Sequence, residues 1–132
     1  MKSFLLILFS VCCLSFAPKK KDVYEIKFGS GGGITGLYSY HLLNQKSELY
    51  TQQGNTSIYL KKVNSSKTAK LFKTIQSDQL LNCRYNKPGS YTNQIFIIKN
   101  QIIINQIQWN SNDSIAPKYI TDLYKSLNNL LK

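Results

Sequence analysis

Between residues 23 and 28, apolar and polar side chains alternate with the period of two that a half-buried β-strand requires. Tyr24, Ile26 and Phe28 share one face, and Glu25 and Lys27 share the other. The alternation returns after a glycine-rich segment at residues 29–36. This pattern predicts a hairpin.

The second strand of this hairpin is predicted around residues 38–42. Tyr38, Tyr40 and Leu42 would share its apolar face, with Ser39 and His41 on the opposite one. Because aromatic residues suit a half-buried pleated surface, we expect the tyrosines to lie in or against the core. Polar turns at residues 44–47 and 54–55 then separate two further predicted strands, at residues 48–52 and 57–63.

From Asn64 onward the apolar period becomes that of a helix. Asn64 or the next serine can cap this helix, and Leu71, Phe72 and Ile75 fall on one face of it. A leucine pair at residues 80–81 extends or restarts the stripe. A last helix is predicted to open at Pro117, a residue that suits a first turn. Its apolar stripe consists of Ile120, Leu123, Tyr124, Leu127, Leu130 and Leu131.

The strongest β-forming segments are residues 94–99 and 102–109, which are rich in isoleucine and flank an Asn-Gln pair. They predict a second hairpin, preceded by a turn in which Pro88 and Gly89 supply the backbone angles. The order of strands, helix, strands and helix lacks the alternation of a parallel sheet. It predicts an α+β fold in which a mainly antiparallel sheet, built from two hairpins plus extra strands, has two helices packed on one face.

The first 17 residues have the arrangement of a cleavable secretory signal, with a lysine, an apolar segment and then small residues. Ser15 and Ala17 fit the cleavage site, and cleavage after Ser15 is the alternative because Pro18 would otherwise follow the cut. We expect export to the periplasm, the cell surface or the medium. The predicted parts are a signal peptide at residues 1–17, a basic tether at 18–22 and one domain at 23–132.

Cys12 and Cys13 offer an alternative to free secretion, because a bacterial lipoprotein signal ends in a small residue followed by a lipid-bearing cysteine. Val11 is too large to precede Cys12 in that motif, whereas Cys12 before Cys13 is acceptable by size. Such a lipid anchor is the only predicted link to a membrane. Cys83 is the one cysteine of the predicted mature domain, so we expect a buried thiol and no intrachain disulfide.

The chain is strongly basic, with 17 Lys and Arg against six Asp and Glu and a net charge of +11. This excess favours an acidic protein or another acidic surface as the partner. Arginine occurs once, at Arg84. Because specific nucleic-acid readers depend on the forked phosphate contacts of arginine, no specific nucleic-acid partner is predicted.

The glycine-rich segment formally satisfies the dinucleotide motif G-x-G-x-x-G. It consists of Gly31, Gly32, Gly33, Ile34, Thr35 and Gly36. A strand follows it where the dinucleotide fold requires a helix, and leucine stands where a Walker loop requires lysine, so neither nucleotide chemistry is predicted. The glycines are predicted to allow positive φ in a wide hairpin or, as the alternative, the close approach of a partner.

His41 is the only histidine of the chain. One histidine, one cysteine and scattered carboxylates in the predicted mature domain do not predict a metal site. No nucleophile-elbow motif accompanies His41, and no close pair of carboxylates suggests glycoside hydrolysis. We therefore predict that the chain is not an enzyme and has no cofactor. A small hydrolase that uses His41 is the alternative.

The motifs together resemble those of a family of small exported bacterial proteins without assigned function, many of them lipoproteins. The resemblance covers nearly all of the mature chain and rests on Ile26-Lys27-Phe28, residues 31–36, a middle helix, Asn86-Lys87-Pro88-Gly89, the hairpin ending in Gln108-Trp109-Asn110 and a closing helix. The Gly-Gly-x-x-Gly hairpin at residues 32–36 also resembles that of emfourin-type inhibitors of thermolysin-like metalloproteases. Those inhibitors have a similar order of elements and usually carry Phe where Ile34 stands.

These features predict an exported, non-catalytic binding module, and the second resemblance implies protease inhibition as one use. Loops on a rigid sheet are where small domains carry function. The predicted contact residues are therefore those of the glycine loop, residues 31–36, and, in the following loop, Tyr85, Pro88, Gly89 and Tyr91. An envelope component held to acidic surfaces by its lysines is the structural alternative.

Overall fold

Seven strands form one mostly antiparallel sheet in the part of the chain that the structure, a computed structural model, describes: residues 18–132. Three α-helices accompany it, which gives a mixed α+β fold. In chain order the elements are β1 Tyr24–Gly32, β2 Leu37–Asn44, β3 Glu48–Gln53, β4 Thr56–Lys62, α1 Ser65–Ile75, α2 Asp78–Leu81, β5 Asn86–Lys87, β6 Tyr91–Lys99, β7 Ile102–Asn110 and α3 Lys118–Asn128. The predicted signal peptide, with Cys12 and Cys13, lies outside the described residues.

The sheet has the strand order β4-β3-β2-β1-β6-β7-β5. Both predicted hairpins are present, and β1 lies at the centre because it pairs along its whole length with β6 and for most of it with β2. The β6–β7 turn uses positive φ at Asn100 and Gln101, as a two-residue hairpin turn requires. Strand β5 was not predicted. It contributes only two residues, paired in parallel with β7, too few for any period to show in the sequence.

Helix α1 begins where its capping residue predicts. The Asn64 side-chain oxygen accepts a hydrogen bond from the Lys67 backbone N–H at 3.0 Å. The helix ends at Ile75, and Ser77, with extended backbone angles, interrupts the apolar stripe before α2 begins. The leucine pair at residues 80–81 therefore belongs to a separate short helix, and there are three α-helices where two were predicted.

Strands and helices share one core. Its buried members are Ile26, Phe28, Leu43, Leu49, Ile95, Ile97, Ile107 and Trp109 from the strands, Leu71, Phe72, Ile75, Leu80, Ile120, Leu123, Leu127 and Leu130 from the helices and the following turn, and Cys83. Each fully buried aliphatic or aromatic side chain contributes about 1.5–3 kcal/mol relative to exposure, so this cluster stabilises the fold. Cys83 is a buried free thiol, as predicted.

The tyrosines of β2 do not point into this core, and the prediction that their face is the buried one is wrong. Ile26 of β1 pairs with Leu43 of β2, and both are fully buried. Because directly paired residues share a sheet face, Tyr38 and Tyr40 lie on the opposite face from Leu43. Residues of β2 alternate between the two faces as predicted. Which face is buried depends on the pairing register of β1 and β2 across the glycine loop, and the sequence does not specify that register.

The last residues of the predicted tether are fixed to the sheet. The Asp22 carboxylate forms an ion pair with Lys99 at 2.9 Å and accepts a hydrogen bond from the Asn100 side chain at 3.1 Å. The Val23 N–H donates to the Asn100 side-chain oxygen at 2.9 Å. The chain thus enters the sheet beside the β6–β7 turn. None of the helices in residues 18–132 combines the length and the apolar character needed to cross a membrane.

Candidate functional site

The two loops predicted as the contact surface lie side by side at one end of the sheet. The Gly33 N–H donates to the Ser90 carbonyl oxygen at 2.5 Å, and Gly32 pairs with Tyr91 at the start of β6. The structure therefore joins the glycine loop to the end of the second loop. Sequence spacing alone could not show this contact, because the two loops lie almost 60 residues apart along the chain.

The glycine loop has the conformation that its composition predicts. Gly32, Gly33 and Gly36 have φ of 114°, 68° and 62°, in the region that residues with a side chain avoid. A 3-10 turn at Gly33–Thr35 lies between them. A Cβ atom at Gly32 would also lie 2.5 Å from the Ser90 carbonyl oxygen. Glycine at position 32 thus allows both the turn and the close contact with the second loop.

Three apolar side chains at this end of the sheet are exposed. Ile34 at the apex is fully exposed, Leu37 is 74% exposed and Tyr91 is 47% exposed. Leu37 and Tyr91 both pair with Gly32, so they flank a position without a side chain on the same sheet face. We call Ile34, Leu37 and Tyr91 the tip surface. Exposed apolar groups at one end of a sheet are typical of an interaction site.

The second loop is held by a residue that the sequence analysis missed. The buried Thr92 hydroxyl donates to the Gly89 carbonyl oxygen at 3.0 Å and lies 3.1 Å from the Gly89 N–H, which donates to it. Pro88 and Gly89 themselves are exposed. The sequence does contain a signal for this contact, because Thr92 follows Gly89 by three residues, a spacing at which a hydroxyl can close the turn.

Tyr85 does not belong to the tip surface. Its ring is half-buried against the core, and its hydroxyl donates to the Asp113 carboxylate at 2.7 Å. This hydrogen bond, with burial and the Asp113 charge, raises the pKa of Tyr85 to about 12. The same bond lowers the pKa of Asp113, with help from the Ile115 backbone N–H. Tyr85 therefore fastens the segment before β5 to the loop before α3.

Replacing Tyr85 with phenylalanine is expected to remove a pH-dependent part of the stability. Because the folded-state pKa of about 12 exceeds the ordinary value of 10.0, the contribution is complete below pH 10 and is lost as the pH rises toward 12. The difference in melting temperature between the unaltered protein and the Tyr85→Phe variant should therefore shrink as the pH rises from 10 to about 12. Tyr59→Phe is the control, since no hydrogen bond of the Tyr59 hydroxyl is found in residues 18–132, and a convergence of equal size there would contradict the assignment.

His41 lies on the core face of β2, opposite Phe28 of β1. Its ring centroid is 5.6 Å from that of Phe28, and its Nδ1 has no hydrogen-bond partner in the described residues. Burial lowers its pKa, and a hydrogen bond with the Tyr50 backbone opposes that shift. No group of three or more potential metal ligands is found within residues 18–132.

The second face of the sheet carries a cluster of aromatic rings, which we call the tyrosine face. Its members are Tyr38 and Tyr40 on β2, Tyr50 on β3, Tyr59 on β4, Phe96 on β6 and, at its centre, Lys27 on β1. The Tyr38 and Tyr40 rings are nearly parallel, 5.8 Å apart, and Tyr40 meets Phe96 edge-on at 5.8 Å.

A row of amide side chains crosses the tyrosine face. The Tyr40 hydroxyl donates to Gln94 on β6, Gln94 donates to Gln108 on β7 at 2.8 Å, and Gln108 donates to Asn86 on β5 at 2.6 Å. Tyr40 reaches Gln94 by crossing Gly29 of β1, which lies between them. We call these four polar groups the amide row. The row fixes side chains from four strands in one hydrogen-bonded chain.

Lys27 lies between aromatic rings. Its Nζ is 4.3 Å from the Tyr40 ring centroid and 5.3 Å from that of Phe96, within the range of cation–π attraction. Partial burial lowers its pKa. Neither of the two ion pairs found in residues 18–132 involves this lysine. The ammonium group therefore lacks a carboxylate partner within the described part of the chain.

No protein-family model matches this sequence, and no curated protein matches it. The two family resemblances noted from the sequence stay predictions.

Proposed function

We propose that this chain is an exported, non-catalytic binding module that holds a protein partner at the tip surface. The observation that carries the proposal is the full exposure of Ile34 at the apex of a hairpin that hydrogen-bonds to the neighbouring loop. A branched apolar side chain on a convex, preorganised loop is complementary to a concave apolar pocket. Preorganisation favours affinity because little conformational entropy is lost on binding.

The chemistry of the tip surface suggests the kind of partner. Leu37 and Tyr91 extend the apolar contact beside the apex, and tyrosine is common among residues that dominate binding energy. The net charge of +11 favours an acidic partner through long-range attraction. A protruding hairpin with these properties suits the cleft of a protease. Inhibition of an exported metalloprotease is therefore the use that we propose for the site.

The proposal includes the placement of α1 and α3 on one face of the sheet. Support comes from the buried residues of both helices, which belong to the same core as Ile26 and Leu43. Helices on that face would cover the centre of the sheet and leave the hairpin apex exposed to solvent.

Ile34→Asp tests the site. A central apolar anchor commonly contributes more than about 2 kcal/mol to binding, so inhibition of a thermolysin-like metalloprotease should weaken at least about tenfold. Ile102→Asp is the matched control, because Ile102 is also exposed, at 67%, but lies beside the β6–β7 turn at the other end of the sheet.

Two outcomes would contradict the proposal at different levels. Equal weakening by the two substitutions would show that the tip surface is not the contact. If the unaltered protein inhibits none of a panel of exported metalloproteases, protease inhibition is rejected as the use of the site.

A further inference from the structure

We infer that the tyrosine face is a second binding site, for an acidic polysaccharide. The sugar rings would lie against the exposed tyrosines, the hydroxyl groups would bond to the amide row, and an acid group would pair with Lys27. This inference does not rest on the proposed function, because the tip surface and the tyrosine face share no residue.

The exposed rings supply the apolar part of the site. Tyr38 is 43% exposed and Tyr59 is 55% exposed, so neither ring is needed to fill the core. Tyr38 stacks on Tyr40, and Tyr59 meets Tyr50 edge-on at 5.7 Å, so each exposed ring is supported by a second one. A pyranose has apolar C–H faces and polar edges, and tyrosine matches it with an apolar ring and a polar tip.

The amide row supplies hydrogen bonds whose geometry is already fixed. Each side-chain amide offers two N–H donors and an oxygen that accepts two hydrogen bonds, and the row uses only part of this capacity. Gln94 is buried, so the groups that a ligand can reach belong to the half-buried Gln108 and the exposed Asn86. Gln106 is exposed beside the row and uses one N–H in a long bond to Gln108, at 3.4 Å. Neutral donors and acceptors held side by side suit a ligand with many hydroxyl groups. Ordering them before binding lowers the entropic cost of association.

Lys27 adds the preference for an acid. Its ammonium is half-buried, its neighbours are aromatic rings, and it has no carboxylate partner in residues 18–132. A carboxylate or sulfate on the ligand would provide that partner. Such a charge-assisted bond is stronger in this partly desolvated setting than at an exposed lysine.

Two carboxylates on the same face argue against a densely charged polymer. Glu25 lies two residues before Lys27 on the same side of β1, and Glu48 is held on this side by Asn44 and Tyr50. A nucleic acid requires a row of cations along its phosphates, and an anionic membrane requires a basic surface. Among residues 18–132, Lys62 is the other lysine on this face, and it pairs opposite Glu48 on the edge strand β4. One central lysine, one lysine at the edge and two carboxylates suit a polysaccharide whose acid groups are spaced apart.

The test is calorimetric titration of the purified protein with hyaluronan oligomers, in which uronic acids alternate with neutral sugars. The unaltered protein should bind, and Lys27→Met should weaken binding at least about tenfold, the loss typical of one strong polar contact. Lys73→Met is the matched control, because it removes the same charge from an exposed position on α1, and it should change affinity less than about twofold. Tyr38→Ala, which removes an exposed ring outside the core, should also weaken binding about tenfold.

Neutral cello-oligosaccharides and oligo-dT complete the experiment. Weaker binding of the neutral sugar supports the role of Lys27, and equal binding overturns it. Tighter binding of oligo-dT than of hyaluronan would identify a nucleic-acid surface and overturn the inference. Absence of hyaluronan binding at about millimolar concentration, or equal losses in the Lys27 and Lys73 variants, would do so as well. Ile34→Asp should leave hyaluronan binding unchanged, so the failure of one proposal is distinguishable from the failure of the other.

Discussion

Asn105→Ala is expected to lower the free energy of unfolding by about 2–4 kcal/mol, a large fraction of the stability of a domain of this size. Asn105 is buried on β7, and its amide nitrogen donates to the Leu80 carbonyl at 2.7 Å and to the Cys83 carbonyl at 3.0 Å. Alanine would leave both carbonyl groups without this partner. Because Leu80 lies in α2 and Cys83 follows that helix, the loss would release the segment that leads into β5. Urea denaturation gives the measurement, with the midpoint shifted and the slope unchanged.

Asn105→Asp separates hydrogen bonding from volume. The aspartate has nearly the same shape, but its ionised carboxylate would face two carbonyl oxygens and donate nothing to them. At neutral pH it should be at least as destabilising as alanine. In the folded protein, burial against two carbonyl oxygens raises the pKa of this carboxyl above its ordinary value of about 4. The deficit should therefore shrink as the pH falls from neutral toward about 4, because protonation restores a donor, and should change little below that pH. Exposed Asn112→Ala, the control, should change the unfolding free energy by less than about 0.5 kcal/mol. A similar small change for Asn105→Ala would refute the role of its amide.

Gly29→Ala is the second substitution with a large expected effect, about 3 kcal/mol of destabilisation. Gly29 is buried at the centre of the sheet, and its φ lies outside the positive region, so the cost is steric. An added Cβ would lie 2.8 Å from the Tyr40 ring and would collide with the Ser39 carbonyl oxygen. It would also push Tyr40 away from Gln94. Thermal unfolding measures the effect.

Gly54→Ala is the matched control for that substitution. Gly54 has a φ of 60° and open space around its Cβ position, so it tests backbone strain alone, at a cost of about 1 kcal/mol. A larger loss at Gly54 than at Gly29 would contradict the steric argument. The double variant Gly29→Ala with Tyr40→Ala should lose less stability than the sum of the two single variants, because the contact between the added Cβ and the Tyr40 ring is then absent.

Local signals predicted most of the elements. The Asn64 cap and the apolar stripe of α1, the Pro117 boundary and stripe of α3, and the isoleucine hairpin around Asn100 are all confirmed. In each case the interactions that form the element join residues close together in sequence, so an apolar period or a capping residue indicates them. Most of the features that were missed depend on contacts between residues distant in sequence.

Three particular residues show why the rest was not predictable. Tyr40 alternates correctly, but only its pairing opposite Gly29 reveals that it lies on the second face. Ser77 reads as an ordinary polar residue within a helical stripe, although its extended backbone ends the stripe. Asn105 lies in a β-prone segment, and nothing local indicates that its partners are the carbonyls of Leu80 and Cys83.

The candidate site was predictable in part. Glycine composition indicated the loop, and the structure confirms positive φ at Gly32, Gly33 and Gly36 and brings that loop to Tyr91. Tyr85 was grouped with the same surface from its place in the sequence, whereas its hydroxyl is used to hold Asp113. The amide row had no sequence signal, because its members come from four strands, β2, β6, β7 and β5, whose side chains meet only in the folded sheet.

Asp22 and Val23 bind to the β6–β7 turn, which lies at the opposite end of the sheet from the glycine loop. Strand β1 runs from that turn to the glycine loop, about 30 Å away at about 3.3 Å per residue. A surface attached to the chain before Pro18 would therefore hold the domain at its β6–β7 end. The hairpin apex would then point away from that surface, and the tyrosine face would lie along the side of the domain, accessible to solvent.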